Sequence, residues 1–305
     1  MRSHQPSSLC LYIASILTTY FQIRHLLLSA ALHTRSISRL TDEVDTDMLD
    51  QNTNVIDSIE QQGRIDLAAA HRIAVMQDLH EGIANHFTLA LPHDRFLAAP
   101  YGRHWSEIRA RDFIVLDYDA RQLSGDGVVE QSALCIHLPI HQADPVRHAA
   151  VLHTHMPYTT ALTRLKDQRL LPIGQAELLL IQHIAYDEQY EGLAYDLDEG
   201  RRLAGVLGDK SILFLANHGV IVTGHSVSQA YDKLYLLERA ARFQILAYST
   251  GQPLRELSPA QQDKVHRQYK EIAREGAAWG GQPYHTLHFD ALKRLADRHD
   301  DSYAR

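Results

Sequence analysis

Apolar residues recur along the chain in two spacings, and each spacing predicts a different kind of element. A period of three to four residues predicts helices over 64–80, 128–142, 174–186, 196–207 and 226–247. Short apolar runs bounded by glycine, proline or acidic residues predict strands over 83–91, 95–100, 113–119, 211–216 and 220–223. Two more helices are expected in the tail, one capped by Ser258 and one over 289–298. Because strands and helices mix along the chain, we expect an α/β domain.

One further strand carries two histidines. Alternation along 151–158 places His153 and His155 on the same face of the strand. Two such imidazoles can bind a metal ion, but a catalytic zinc site needs a third protein ligand and an open position. His218 is the candidate third ligand, since it follows the apolar run 211–216 and Gly219 frees the backbone after it. The alternative is that these are hydrogen-bonded core residues among the chain's 20 histidines.

A rival histidine pair lies on the predicted helix 128–142. His137 and His141 are four residues apart, so they could chelate a metal from one face of the helix. Pro139 lies between them and would distort that turn, and no glutamate follows the first histidine as in zinc proteases. For His137 a buried, hydrogen-bonded place in the core is favoured.

Composition excludes some classes of function. The 305 residues are 45% hydrophobic and 22% charged, which is ordinary for a globular protein. A net charge of -7 argues against nucleic acid as a partner, because phosphate binding needs a basic face. Cys10 and Cys135 are the only cysteines, so a disulfide framework and a Cys-x-x-Cys zinc site are excluded. This usage suits a reducing compartment and predicts a cytoplasmic protein.

The first residues differ from the rest of the chain. Residues 1–41 contain no acidic side chain and hold arginine, serine and two apolar runs. They are typical either of a targeting segment, which would send the protein to an organelle, or of a start that has been misassigned ahead of Met48. The apolar runs are too short to span a membrane. We therefore expect three regions: an irregular extension and polar linker over 1–63, a domain over 64–250, and a helical tail over 251–305.

Four short motifs resemble one known family. They are His-Thr-His-x-Pro-Tyr-x-x-Ala-Leu from His153, Asn-His-Gly-Val over 217–220, the segment 81–88 with Asn85, and the Pro-Tyr-Gly turn at Gly102. In this order they resemble the class II aldolase and adducin head-domain superfamily over residues 69–247. The resemblance implies an α/β/α three-layer sandwich around a largely antiparallel central sheet, usually assembled as a homotetramer with sites between subunits. It also implies Zn²⁺ or another divalent metal at the three histidines, and a substrate contact at Asn85 and Gly102.

The residue that would move a proton is the main departure from the family. In the aldolase branch a glutamate stands four residues before a helix histidine, and alignment on His137 puts Ala133 there. Glu130 lies one turn earlier and could substitute if the helix or loop shifted. Glu177 is the second candidate, because it resembles the catalytic glutamate of the methylthioribulose-phosphate dehydratase branch. Tyr158, beside the metal strand, could donate to the substrate or pack in the core.

These observations leave three functions open. The leading hypothesis is a zinc-dependent, aldolase-like lyase acting on a small hydroxy-carbonyl or sugar-type molecule, in which the metal stabilises an enediolate. One alternative is a non-catalytic, adducin-like scaffold that binds the cytoskeleton. The other is a dehydratase or sugar-phosphate epimerase. The phosphate-binding serine pair of the aldolases is reduced here to Ser132, so an unphosphorylated substrate is as plausible as a sugar phosphate.

Overall fold

A computed structural model describes residues 37–274 and 282–305, with side chains from residue 54 onward except 273–281. The expectations for the segment before residue 37 lie outside this part of the chain. Contacts within the chain define a compact unit over residues 57–305, which contains all of the features below except the start of the first helix. None of the described helices is long and apolar enough to cross a membrane.

Eight strands form one sheet in the described residues. They are β1 His86–Leu91, β2 Arg95–Ala98, β3 Ile114–Asp117, β4 Gln122–Ser124, β5 Ala150–Thr154, β6 Ile184–Asp187, β7 Ile212–Leu215 and β8 Val220–Gly224. Their order is β4-β3-β2-β1-β5-β8-β7-β6. Every neighbouring pair is antiparallel except β6 and β7, which are parallel. The expectation of a largely antiparallel sheet is therefore confirmed.

Helices cover both faces of the sheet. They are α1 Ile37–Met76, α2 Gln131–Ala143, α3 Pro157–Thr163, α4 Gln175–Leu180, α5 Leu197–Leu207, α6 Val227–Tyr248, α7 Pro259–Arg274 and α8 Tyr284–Asp297. The larger apolar core lies on the α1 and α6 face, whereas smaller cores lie under α2 and α5. Successive side chains of β5 point to opposite faces of the sheet and so contribute to both cores. Leu152 packs in the large core, and Val151 packs in a core under α2 and α5. The predicted α/β/α sandwich is confirmed.

Two predicted elements are wrong. The expected linker over 42–63 is helical, as part of α1. No proline interrupts it, and its glutamate, glutamine, leucine and methionine residues favour a helix. Gly63 is explained by close packing, since a Cβ there would lie 2.7 Å from the Leu89 side chain of β1. The predicted helix 174–186 stops at Leu180, and Ile184–Asp187 forms β6. Local periodicity could not reveal that strand, because its pairing with β7 depends on a distant partner.

Candidate metal centre

Three histidines converge at one edge of the central strands. His153 lies in β5 and pairs with Ile221 of β8, His155 follows the end of β5, and His218 lies in the turn between β7 and β8. Their ring centroids are 4.8 to 4.9 Å apart, and the Nε2 atoms of His153 and His155 are separated by 3.1 Å. One nitrogen from each ring falls within 4.8 Å of the others. The strand and turn together thus form a three-imidazole cluster.

The outer nitrogens of two rings are hydrogen-bonded in the way that metal ligands require. His153 Nδ1 donates to the carbonyl oxygen of Val220 over 2.9 Å, which leaves Nε2 unprotonated when the ring is neutral. His155 Nδ1 is hydrogen-bonded to the carboxylate of Glu81. Both rings therefore direct an Nε2 lone pair towards the centre of the cluster. The donor set and its orientation fit a bound divalent ion.

The turn that holds His218 is shaped by two neighbouring residues. Asn217 adopts a left-handed conformation with φ of 59°, and its backbone N–H donates to the carbonyl of Thr163 over 2.9 Å. Gly219 is not in a left-handed conformation, so the proposed reason for this glycine was wrong. A Cβ at residue 219 would lie 2.6 Å from the Thr154 oxygen and 2.7 Å from His155 Cδ2. Gly219 is needed because His155 packs directly against its backbone.

Burial keeps the rings of His153 and His218 in the neutral form that binds metal. Burial, aided by the charge of His218 and other neighbouring histidines, lowers the pKa of His153 well below its usual value. Burial and the neighbouring His155 lower the pKa of His218 to about 4. Neutral imidazole at neutral pH is the state that ligates divalent metals.

A small cavity is lined by both predicted substrate-binding residues and by His86, whose ring centroid is 4.9 Å from that of His153. Asn85, His86, Gly102, Glu130 and Ala133 are among the residues that line it. Asn85 is buried, and its Oδ1 accepts from the backbone N–H of Glu81 over 2.7 Å. Its Nδ2 is buried without a hydrogen-bond partner among the described residues. An orphaned buried donor is costly, and a ligand oxygen would satisfy it.

The carboxylate of Glu130 lies next to Ala133, the residue that stands where related aldolases are expected to have a glutamate. Glu130 precedes α2 as the capping residue and accepts from the backbone N–H of Ala133 over 2.9 Å. The Ser132 hydroxyl also donates to this carboxylate, and His86 Nε2 lies 3.8 Å from it. Burial raises the pKa of Glu130, but hydrogen bonds from Ser132 and Ala133 and the nearby His86 outweigh this, so its pKa falls below the usual value. Glu130 is therefore an ionised carboxylate at the cavity.

Glu177 and Tyr158 do not join the cluster. Glu177 is buried in the first turn of α4, where burial raises its pKa, and no hydrogen bond or ion pair links it to the three histidines in the described residues. Tyr158 is the second residue of α3, and its backbone N–H donates to the Glu238 carboxylate over 2.7 Å. The Arg242 guanidinium lies 5.4 Å from the centroid of its ring. Tyr158 packs against the large apolar core, and neither side chain is hydrogen-bonded to the three histidines in the described residues.

Sequence reasoning missed two residues beside the cluster. Glu81 was read only as part of a motif, yet its carboxylate orients His155. His86 stands opposite His153 in the β1–β5 register, with ring centroids 4.9 Å apart. The sequence does place His86 and Thr88 on the same face of β1. It does not show that His86 lies opposite His153, because that depends on the pairing of β1 with β5.

Comparison with known proteins identifies the family of the chain. The family model described as Class II Aldolase and Adducin N-terminal domain matches residues 65–245. An aldolase II superfamily protein from Pseudomonas syringae superposes with a TM-score of 0.73 and 34% identity, covering 81% of this chain and 96% of that one. The decarboxylase NovR of Streptomyces niveus is 30% identical over 71% of this chain and 78% of its own. Rat alpha-adducin is 30% identical over 82% of this chain but only 35% of its own. The chain belongs to the class II aldolase and adducin N-terminal domain family.

Proposed function

We propose that the chain is a metal-dependent lyase that breaks a bond next to the carbonyl of a small hydroxy-carbonyl compound. The observation that carries the proposal is the orientation of His153 and His155, whose outer nitrogens are hydrogen-bonded so that both Nε2 atoms face His218. A purely structural histidine cluster would have no need for this arrangement. The family also includes aldolases, and a relative named as a decarboxylase supports a lyase.

Zinc is the metal that best fits this site. His153, His155 and His218 would hold it, as in catalytic zinc sites with three protein ligands and one open position. When bound, the ion supplies a Lewis acid that polarises a carbonyl oxygen and stabilises negative charge on it. Imidazole also suits iron, nickel and copper, so metal analysis of the purified protein has to include them.

The chain's own side chains supply binding and proton transfer. Asn85 Nδ2 donates to a substrate oxygen, because this buried amide has no other partner. Glu130 accepts the proton that leaves the substrate and later returns it, since its carboxylate is ionised and lines the same cavity. In this role it replaces the acid that is absent at Ala133. The left-handed turn at Gly102, with φ of 86°, forms the opposite wall without a side chain.

The charge around the cavity favours a substrate without phosphate. Ser132 is the one hydroxyl left from the family's phosphate-binding serine pair, and it donates to the Glu130 carboxylate. A dianionic phosphate at this position would meet an ionised carboxylate, which is unfavourable. We therefore favour an unphosphorylated hydroxy-carbonyl compound over a sugar phosphate. This also makes a dehydratase or epimerase of sugar phosphates less favoured, and Glu177, on which the dehydratase depends, does not contact the cluster.

An adducin-like scaffold is the second candidate, favoured by Ala133 and by the likeness to rat alpha-adducin. A scaffold has no chemical requirement for bound metal or for proton exchange. Incubating the protein with hydroxyacetone in D₂O, and following loss of the carbon-bound proton signal by NMR, separates the two functions. Metal-dependent exchange that stops in His153→Ala supports the lyase. Equal exchange in both proteins would contradict it.

Four parts of the proposal rest on sequence and resemblance. We propose a homotetramer whose sites lie between subunits, a cytoplasmic location, a domain over 64–250 and a helical tail over 251–305. Light scattering of the purified full chain tests the first of these. A mass near four times 34.5 kDa is expected, and a monomer would contradict it.

A further inference from the structure

A continuous line of buried hydrogen bonds runs away from the metal centre. His86 Nδ1 lies 2.9 Å from His137 Nε2, and His137 Nδ1 lies 2.7 Å from the hydroxyl of Thr88. The same hydroxyl lies 2.8 Å from His141 Nε2, and His141 Nδ1 lies 2.8 Å from the carbonyl oxygen of His148. We call His86, His137, Thr88 and His141 the histidine relay. All four side chains are buried.

The hydrogen bonds at the His141 end of the relay can each have only one direction. A carbonyl oxygen only accepts, so His141 Nδ1 carries a hydrogen and donates to His148. Burial without a carboxylate partner keeps the His141 ring neutral, so its Nε2 is a lone pair that accepts from the Thr88 hydroxyl. That hydroxyl has one hydrogen, and its oxygen must therefore accept from His137 Nδ1.

The same reasoning carries through to His86. His137 has its hydrogen on Nδ1, so its Nε2 is a lone pair and accepts from His86 Nδ1. His86 is buried, which keeps its ring neutral, so the remaining nitrogen, Nε2, is also a lone pair. A single acceptor at His148 thus determines which nitrogen of His86 is unprotonated, across four successive hydrogen bonds.

Nothing among the described residues satisfies the His86 lone pair. The Ser132 hydroxyl oxygen lies 3.2 Å from it, but the hydrogen of that hydroxyl goes to the ionised Glu130 carboxylate. Glu130 itself is 3.8 Å from His86 Nε2 and is an acceptor, not a donor. His86 lines the cavity, and its ring centroid is 4.9 Å from that of His153. An unused acceptor therefore borders both the cavity and the metal centre.

We propose that His86 binds the substrate by accepting a hydrogen bond from its hydroxyl group at Nε2, and that His137, Thr88 and His141 hold this acceptor in place. The inference rests on the proposed function and narrows its substrate class. The substrate must carry a free O–H beside the oxygen held at the metal centre, so a methyl ether of the same compound is rejected. The relay ends on a carbonyl, which cannot pass a proton on, so it fixes an orientation and does not conduct protons.

Nitrogen NMR of the full chain labelled with ¹⁵N-histidine tests the relay directly, because protonated and unprotonated ring nitrogens have different shifts. His86, His137 and His141 are each expected to carry hydrogen on Nδ1 alone, with signals assigned by their loss in His→Gln variants. A hydrogen on His86 Nε2 at neutral pH would overturn the proposal. The measurement needs neither turnover nor bound metal.

A Thr→Val pair tests whether the relay holds the acceptor. Thr88→Val removes the hydroxyl that joins His137 to His141, so His86 should become a mixture of two tautomers. Thr160→Val is the matched control, since the Thr160 hydroxyl is also buried but has no hydrogen-bond partner in the described part of the chain. His86 should be unchanged in the control. An unchanged His86 signal in folded Thr88→Val protein would contradict the positioning role.

Glycolate and methoxyacetate test the substrate contact in zinc-loaded protein. Both molecules offer a carboxylate and a neighbouring oxygen, but only glycolate has a hydroxyl hydrogen. Glycolate should shift the His86 Nε2 signal to higher field, whereas methoxyacetate should not. Equal effects, or no effect of glycolate at saturation, would overturn the contact. A chain that retains no zinc would instead contradict the proposed function, while the tautomers read from the same sample still decide the relay.

Discussion

The carboxylate of Glu130 accepts a hydrogen bond from the backbone N–H of Ala133 over 2.9 Å. This contact holds the Glu130 carboxylate beside Ala133, the residue that by resemblance stands where the family has its glutamate. Glu130 reaches it because α2 begins at Gln131, later than the sequence pattern predicted, and leaves Glu130 as an extended capping residue. Under the proposed function, Glu130 takes the place of the missing acid without a change in the fold.

Glu130→Gln should abolish most proton exchange from hydroxyacetone while the metal stays bound. Removing a general base typically costs about 10²- to 10⁴-fold in rate, and glutamine keeps the shape of the side chain. Exchange in D₂O and metal content are measured on the same sample. Glu177→Gln is the comparison, because Glu177 does not contact the cluster. A loss confined to Glu177→Gln would transfer the role to that residue.

Gly219→Ala should weaken metal binding strongly. The new Cβ would lie 2.6 Å from the backbone carbonyl oxygen of Thr154 and 2.7 Å from His155 Cδ2. The His155 ring must therefore move from its place beside His153 and His218. Changes next to ligands typically cost about 10- to 100-fold in metal affinity, and a loss at least this large is expected by competition with a fluorescent chelator.

Gly205→Ala is the matched control for that variant. Gly205 lies in α5, and no atom lies within 4 Å of an added Cβ. Its metal affinity should equal that of the wild type, and its stability should rise by about 1 kcal/mol because alanine favours the helix. Equal metal affinity in the two glycine variants would show that His155 does not depend on Gly219.

Glu81→Gln should reduce metal affinity by about 10- to 100-fold, the usual cost of losing a carboxylate behind a histidine ligand. The carboxylate of Glu81 orients His155 and increases the basicity of its ring, which makes the ring a stronger metal ligand. The three ligands themselves remain in the variant, so metal should still bind at high concentration. Isothermal titration with zinc measures the change, and an unchanged dissociation constant would exclude this role.

Much of the fold was predictable because its signals are local. Capping by Asp196 and Ser226, and period-two alternation around His153, are readable over a few residues. The cluster of three histidines was also predictable, from the alternation around His153 and from the apolar run 211–216 that precedes His218. By contrast, β6 and the position of His86 depend on pairing between distant strands, which no local window contains. The hydrogen bond between Glu130 and Ala133 could not be predicted either, because it depends on where α2 begins.

The metal-free protein should lose stability as the pH falls from about 6.5 to 4, in part through His71. This ring is wholly buried, and burial lowers its pKa to about 4 despite a hydrogen bond with the Leu67 carbonyl. Between pH 6.5 and 4 this histidine is protonated in the unfolded chain but not in the folded chain. The free energy of unfolding is therefore highest above pH 6.5 and falls as the pH is lowered through this window. Within this window such a histidine contributes a slope of up to about 1.4 kcal/mol per pH unit.

His71→Phe isolates that contribution. Phenylalanine can pack among Phe87, Trp105 and Phe113, whose rings surround His71. Urea unfolding at several pH values should show a shallower pH dependence in the variant, with most of the remaining slope due to other buried histidines. An identical slope would mean that His71 is protonated in the folded protein or that its environment is more open.

The most direct test of the central claim is the metal content of the full-length protein, purified without chelator, beside that of His218→Ala. The account predicts about one zinc or other divalent ion per chain in the wild type, as for a site with three protein ligands, and loss of that ion in the variant. Wild-type protein without metal that also takes up none from added zinc would contradict the metal centre and favour a scaffold. The same would hold for a bound ion that persists when His218 is removed.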